Sequence, residues 1–287
     1  MSLSRLIAGT MNWGSWGASL SATDMAGLMA ICVENGIDTF DHADIYGGHT
    51  TESEFGNAFS QSGIERTQIK IITKCGIQYP SENRVLPIKH YDYSKRHIIW
   101  SVENSLQNLQ TEYVDVLLLH RPSPLMQPDE IAEAIEKLRS EGKILEFGVS
   151  NFTPSQTQLI ASLVPVSYNQ IQFSATNCEA MTDGSLDFMQ LNNIAPMAWN
   201  PLGNVFREET PQTQRLRYLL ANLQQKYAVG ADVILIAWIL RHPAGIHAVC
   251  GTTKPERIAL LRKATELQLE DTDWFALWVE SRGSKVP

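Results

Sequence analysis

Asp41, Tyr46, Lys74 and His120 are residue types that together can deliver a proton to a polarised oxygen. A phenol with an ordinary pKa near ~10 is a poor donor at neutral pH, but a neighbouring ammonium lowers it by roughly 1–3 units. Lys74 is the candidate cation, and the Asp41 carboxylate would keep it charged in a partly desolvated pocket. His120 could then donate a hydrogen bond to a substrate oxygen. A proton donor beside an oxyanion site is what carbonyl reduction requires. Each residue also has a plainer use. Asp41 and Lys74 could be a structural ion pair, Tyr46 beside Gly47-Gly48 could pack over a turn, and His120 before Arg121-Pro122 could cap a strand.

What joins the four is their position at the ends of successive elements. Short apolar runs alternate with amphipathic stretches along the whole chain, the rhythm of βα units around a parallel sheet. Strands are expected at Leu6–Ala8, Thr39–Asp41, Ile69–Thr73, Val114–Leu119, Leu145–Gly148, Ser167–Ile171, Ala195–Ala198 and His247–Cys250. Asp41 ends the second, Lys74 follows the third, His120 follows the fourth, and Tyr46 lies on the loop after the second. In a barrel of eight such units the carboxyl ends of the strands share one mouth, where catalytic groups collect. The intervening helices show apolar stripes and ends. Ser94 can cap the stripe Ile98, Val102, Leu106 and Leu109, while Gly142 closes the stripe Ile131, Ala134, Ile135 and Leu138. Thr51-Glu52-Ser53-Glu54 reads as a capping box, and Ser155 after Pro154 is placed to cap a later helix. The longest irregular stretches, about 75–93 and 200–210, open on the mouth. There Trp13, Trp16, Tyr79, Tyr91 and Tyr93 either line an aromatic pocket or anchor loops.

With 287 residues, 44% hydrophobic and 19% charged, the chain has the length of a barrel of about 250 residues and the composition of a globular protein. No linker divides it, so a single domain over 1–287 is expected. A net charge of −8 without a Lys/Arg block speaks against a nucleic-acid partner. Cys32, Cys75, Cys178 and Cys250 lack metal-site spacing and read as free thiols in a reducing compartment. The first residues lack a signal-peptide pattern, and the longest apolar run, Val233 to Leu240, is too short to span a bilayer. A cytoplasmic protein with no membrane partner is therefore expected. No GxGxxG follows a strand, which disfavours a doubly wound dinucleotide fold. The metal cluster or paired carboxylates of a barrel hydrolase or lyase are also missing from the pattern.

The segments Asp41-His42-Ala43-Asp44-Ile45-Tyr46-Gly47, Ile72-Thr73-Lys74, Leu117-Leu118-Leu119-His120-Arg121-Pro122, Gly148-Val149-Ser150-Asn151-Phe152, Asn169-Gln170 and Pro201-Leu202-Gly203, in this order, carry a resemblance that runs nearly end to end. The chain resembles the aldo-keto reductase superfamily, most closely its bacterial YdhF-like oxidoreductases. The resemblance implies an α/β fold, a (β/α)8 TIM barrel, with Asp41, Tyr46, Lys74 and His120 as the catalytic tetrad and Tyr46 as general acid in reduction. It places Ser150 and Asn151 on the nicotinamide carboxamide, Gln170 as a further contact, and Trp199 as the platform for the ring, with Thr10 and Met11 near it and Leu202 beside the cofactor. Gly251, Thr252, Lys254 and Arg257 would serve its phosphates, and Arg257 on the adenosine 2′-phosphate points to NADP(H). Helix-start N–H groups and these two cations suit an anion in an acidic protein.

Two departures stand out. Leu260 and Leu261 occupy positions where the family frequently has Glu and Asn near the adenine. Only about five residues precede the first strand, so a hairpin plug at the barrel bottom is expected to be incomplete. The implied activity is reduction of small aldehydes or ketones by NADPH. The superfamily also includes channel-associated subunits with little turnover, so a cofactor-sensing binding subunit is the alternative.

Overall fold

The eight stretches expected to be strands all form, and they close on one another. The structure, a computed structural model, describes residues 2–285. Strands β1 (Leu6–Gly9), β2 (Thr39–Asp41), β3 (Lys70–Cys75), β4 (Val114–Leu119), β5 (Ile144–Ser150), β6 (Tyr168–Gln172), β7 (Ala195–Trp199) and β8 (His247–Cys250) pair in parallel, each with its sequence neighbour, and β8 pairs with β1. Several strands run one or two residues further toward the mouth than expected. Lys74 and Ser150 thus lie inside β3 and β5, because their backbones continue the ladder with β4 and β6.

Between the strands lie α1 (Ala22–Glu34), α2 (Thr51–Gln61), α3 (Lys95–Leu109), α4 (Pro128–Ser140), α5 (Pro154–Ala161), α6 (Ser185–Leu191), α7 (Pro211–Tyr227) and α8 (Ala231–Leu240), with α9 (Pro255–Leu261) and α10 (Asp271–Arg282) after β8. The stripes of α3 and α4 are buried as expected, Ser94 accepts from the His97 N–H at 3.2 Å, and Gly142 follows the end of α4. Two caps differ. Thr51 is the first helical residue of α2, and Thr50 before it makes no side-chain cap, so the capping box between Thr51 and Glu54 does not form; Glu52 turns inward and accepts from Thr73 at 2.5 Å and Ser105 at 3.0 Å. The cap of α5 is Thr153 in a reciprocal pair with Gln156, one residue before the Pro that fits the first helical position, and not Ser155.

Alternation of side chains along each strand divides the apolar residues into two cores. Inward-facing Ile7, Ile72, Val116, Leu118, Tyr168, Met197 and Val249 fill the barrel, and Leu3 packs into the same cluster from below. The other core lies between strands and helices, and in α8 the run Val233–Ile239 is wholly buried in it. Among the described residues no single helix is long and apolar enough to cross a membrane. The cysteines are free, three of them buried. The apolar side chains of this inner cluster fill the barrel interior, and a cleft opens above the carboxyl ends of its strands.

Candidate active site

Lys74 is the centre of the mouth. From the carboxyl end of β3 its ammonium reaches Asp41 Oδ1 at 2.8 Å and Oδ2 at 2.7 Å, the His42 carbonyl at 2.8 Å and Tyr46 Oη at 3.1 Å. Lys74 and Asp41 are both almost completely buried. Burial pulls the lysine down, but Asp41 and Tyr46 outweigh it and hold the ammonium above its ordinary range. Asp41 is fixed from the far side of the barrel as well, since Gln170 Nε2 donates to its Oδ1 at 2.8 Å.

The ammonium has donors and no lone pair, so Tyr46 Oη accepts from it and the phenolic proton must point elsewhere. The loop that carries Tyr46 is held at both ends: the Asp44 N–H donates to the Lys74 carbonyl at 3.1 Å, and Gly47 (φ 62°) turns the chain where a Cβ would lie 2.5 Å from Thr51 Oγ1. Here the sequence-based expectation needs correcting. Burial pushes the phenol up more strongly than Lys74 draws it down, Asp41 adds to the rise, and the net direction is upward. Tyr46 is therefore a protonated hydroxyl at neutral pH, oriented by Lys74 more than acidified by it.

His120 follows β4, its backbone N–H bonded to the Cys75 carbonyl at 3.0 Å, and its ring stands edge-on to Tyr46 with centroids 6.1 Å apart. Burial, with Lys74, Arg121 and Lys89 nearby, holds the imidazole well below its ordinary range. It is a neutral hydrogen-bonding ring beside the phenol, with Nδ1 buried and without a partner among the described residues.

Tyr46 and His120 form one end of a cleft of about 820 Å³. Met11, Gln170, Trp199, Leu202, Gly251, Thr252, Lys254 and Arg257 line it along the mouth toward β8 and α9. Thr10, Ser150 and Asn151 do not line it. Thr10 is fully buried and donates to the Asp41 carbonyl at 2.9 Å, supporting β2. Ser150 and Asn151 form a relay behind the wall: Ser150 donates to the Gln170 carbonyl at 2.9 Å, Asn151 Nδ2 to Ser150 Oγ at 2.8 Å, and Trp199 Nε1 to Asn151 Oδ1 at 2.9 Å. The relay fixes the plane of the Trp199 indole. Of the two leucines after Arg257, Leu261 faces the cleft and Leu260 is largely exposed.

The aromatic residues of the mouth divide between both expected uses. Trp16 and Tyr79 line the cleft next to Tyr46, their own rings 5.3 Å apart edge to face. Trp13 is fully buried against Phe40 and Phe55, Tyr93 is a buried anchor, and Tyr91 lies on a small antiparallel ribbon, Ile77–Gln78 with His90–Tyr91. Asn12, Lys89, Arg121, Arg207 and Asp232 also line the cleft without having been singled out as site residues. Arg121 could have been found from its place directly after His120, whereas Asp232 lies on a helix start with no pattern to mark it.

Residues 5–278 match the sequence model of the Aldo/keto reductase family. The chain is 42% identical to the uncharacterized oxidoreductase YcsN of Bacillus subtilis, covering 100% of this chain and 97% of that one. It is 36% identical to a 6-dehydroglucose reductase of Agrobacterium fabrum, covering 100% and 97%, and 36% identical to oxidoreductase YdhF of Escherichia coli, covering 99% and 95%. Among solved structures it superposes on an aldo/keto reductase from Klebsiella pneumoniae in complex with NADP and acetate, with a TM-score of 0.80 over 96% of this chain and 90% of that one at 23% identity, a likeness of fold. The family match extends nearly end to end and three full-length relatives exceed a third identity, so the chain belongs to the aldo/keto reductase family of oxidoreductases.

Proposed function

We propose that the protein reduces small aldehydes or ketones to alcohols with NADPH, Tyr46 supplying the proton as general acid. The observation that carries this reading is the Lys74 ammonium, which bonds both Asp41 and Tyr46 Oη and so leaves the phenolic proton to face the cleft. His120, neutral and beside it, is a second donor for the same oxygen. A carbonyl seated between them would have its developing negative charge met by two pre-positioned donors.

The cleft suits an anionic dinucleotide. Lys254 and Arg257 line its β8 end, and the carboxylates in the lining are Asp41, paired with Lys74, and Asp232. The Trp199 face, held by the Asn151 relay, offers a flat wall for an aromatic ring. Bound there, the cofactor supplies the hydride. Lys254 and Arg257 would hold its phosphate end, and the preference for the 2′-phosphorylated form rests on Arg257. The solved Klebsiella relative, in complex with NADP, and the reductase named among the relatives support the same reading. A cofactor sensor with little turnover has no use for a proton donor aimed into the cleft, so the intact tetrad favours the enzyme.

The test is consumption of NADPH, with NADH in parallel, across aldehydes, ketones and quinones, together with a fluorescence titration of cofactor binding. Saturable reduction of at least one carbonyl is expected, with NADPH preferred. Cofactor binding without turnover of any carbonyl would favour the sensing subunit, and no binding of either cofactor would remove both readings.

A further inference from the structure

The substrate end of the cleft contains two cations that the proton chemistry does not use. Arg121 directly follows His120, and its backbone is clamped: Tyr93 Oη donates to the Arg121 carbonyl at 2.5 Å and accepts from its N–H at 3.1 Å. One guanidinium nitrogen, Nη1, is spent on the His120 carbonyl at 2.7 Å and Ser150 Oγ at 3.2 Å, and the group lies over the Trp199 ring at 5.7 Å. Neither contact is with a carboxylate, and no ion pair involves Arg121 among the described residues. Lys89 lines the same end from the loop between β3 and α3. Of the two carboxylates among the described cleft-lining residues, Asp41 already has Lys74 and Asp232 lies on α8.

A half-buried guanidinium with no carboxylate partner has lost part of its hydration without an opposite charge in return. An arginine held in this way, with donors left over, is arranged to receive an anion, in particular the planar two-oxygen edge of a carboxylate. The oxyanion position itself is served by Tyr46 and His120, and the phosphate end by Lys254 and Arg257, so this third positive site belongs to neither. Its field reaches both reacting groups, since Arg121 lowers the affinity of Tyr46 and His120 for protons and Lys89 does the same at His120.

We infer that the carbonyl substrate is itself anionic, an aldehyde or ketone bearing a carboxylate, sulfonate or phosphate that Arg121 binds and Lys89 attracts. The inference rests on the carbonyl-reductase reading and adds the substrate class to it. A neutral carbonyl compound would leave both cations unanswered.

Three anionic aldehydes distinguish the head groups: para-carboxybenzaldehyde, para-formylbenzenesulfonate and para-formylphenyl phosphate. Methyl para-formylbenzoate is the neutral reference. With NADPH at low ionic strength, kcat/KM for at least one anion should exceed that of the ester by roughly tenfold or more, the difference lying in KM, as a single charge-assisted contact allows. Added salt should erode the advantage. Substitution Arg121→Gln should cost the anion roughly tenfold more than it costs the ester, Arg121→Lys should recover part of that, and Lys89→Gln at its exposed position should give a smaller, salt-sensitive loss. Titration of the protein, loaded with oxidised cofactor, with para-carboxybenzyl alcohol and its methyl ester reads the same preference without turnover. Equal binding of acid and ester, or equal losses on Arg121→Gln, overturns the anionic-substrate inference and leaves the reductase reading standing. Tighter binding of the acid with no aldehyde reduced upholds the anion site and overturns the reductase reading instead.

Discussion

Lys74 has three N–H bonds to give and finds Asp41, a backbone carbonyl and Tyr46 around it, so every donor is spent and none is left for a substrate. On the proposed reading its role is to orient Tyr46, and the phenol does the donating. Tyr46→Phe removes only that hydroxyl from a ring that stays packed beside Trp16. Steady-state kinetics should show kcat for reduction falling roughly 10²–10⁴-fold with cofactor affinity little changed. A variant with full turnover would take the acid role away from Tyr46. The pH profile separates the phenol from the imidazole. Because burial raises Tyr46 above its ordinary value, the reduction rate should stay level from about pH 6 to beyond about pH 10 and decline only above that, while alcohol oxidation, which needs the phenolate, should climb with pH. His120 is held well below its ordinary value and should add no limb near pH 6.5. A reduction rate that halves around about pH 6.5 would make His120 the donor. The tetrad was legible as residue types at strand ends. The direction of the Tyr46 shift was not, because it depends on how completely the phenol is buried, and no spacing in the chain encodes that.

At the scale of elements, the strands were readable because each pairs with its neighbour in sequence and its apolar run needs no distant partner to be recognised. The caps were less so. Thr51-Glu52-Ser53-Glu54 has the composition of a capping box, yet the helix already includes Thr51, with Thr50 at the cap position, and Glu52 is drawn into the core by Thr73 on β3 and Ser105 on α3, partners 21 and 53 residues away. Ser150 and Asn151 likewise read as cleft residues from the motif alone, while the register of β5 against β6 sets them behind the wall as supports for Trp199. The connection after β3 shows how an element positions a side chain elsewhere. Gly76 has φ 103°, and a Cβ there would lie 1.9 Å from Tyr93 Cε1. Gly76→Ala must therefore take up a left-handed conformation and displace the ring that clamps Arg121, for roughly 2–5 kcal/mol in total. Chemical denaturation should report a loss in that range. Tyr93→Phe, which keeps the ring and removes the clamp, should be distinctly milder. A Gly76→Ala protein as stable as the parent would mean that the ring has room to move.

At the scale of the molecule, a chain of net charge −8 gathers Lys89, Arg121, Arg207, Lys254 and Arg257 around one cleft, against Asp41 and Asp232. Concave walls of low dielectric focus that field outward, and the acidic surface elsewhere keeps anions from being held in the wrong place. The sequence revealed the total and the two cations of the β8 end. It did not reveal the gathering, because Lys89, Arg121 and Arg207 come from three different loops that only closure of the barrel brings together. The consequence can be read from the stability of the whole protein. A ligand that binds the folded state alone adds about 2.7 kcal/mol at a concentration one hundred times its Kd, so NADPH should raise the unfolding temperature in proportion to the logarithm of its concentration. NADH lacks the 2′-phosphate and should do so only at markedly higher concentration. In Arg257→Gln the NADPH curve should move toward the NADH curve while the NADH curve stays in place, and higher salt should bring the two together. If instead both curves moved equally in Arg257→Gln, that arginine would be holding a part of the cofactor common to both forms, and the preference for NADP(H) would have to come from another of the gathered cations, with Lys254 and Arg207 the next to substitute.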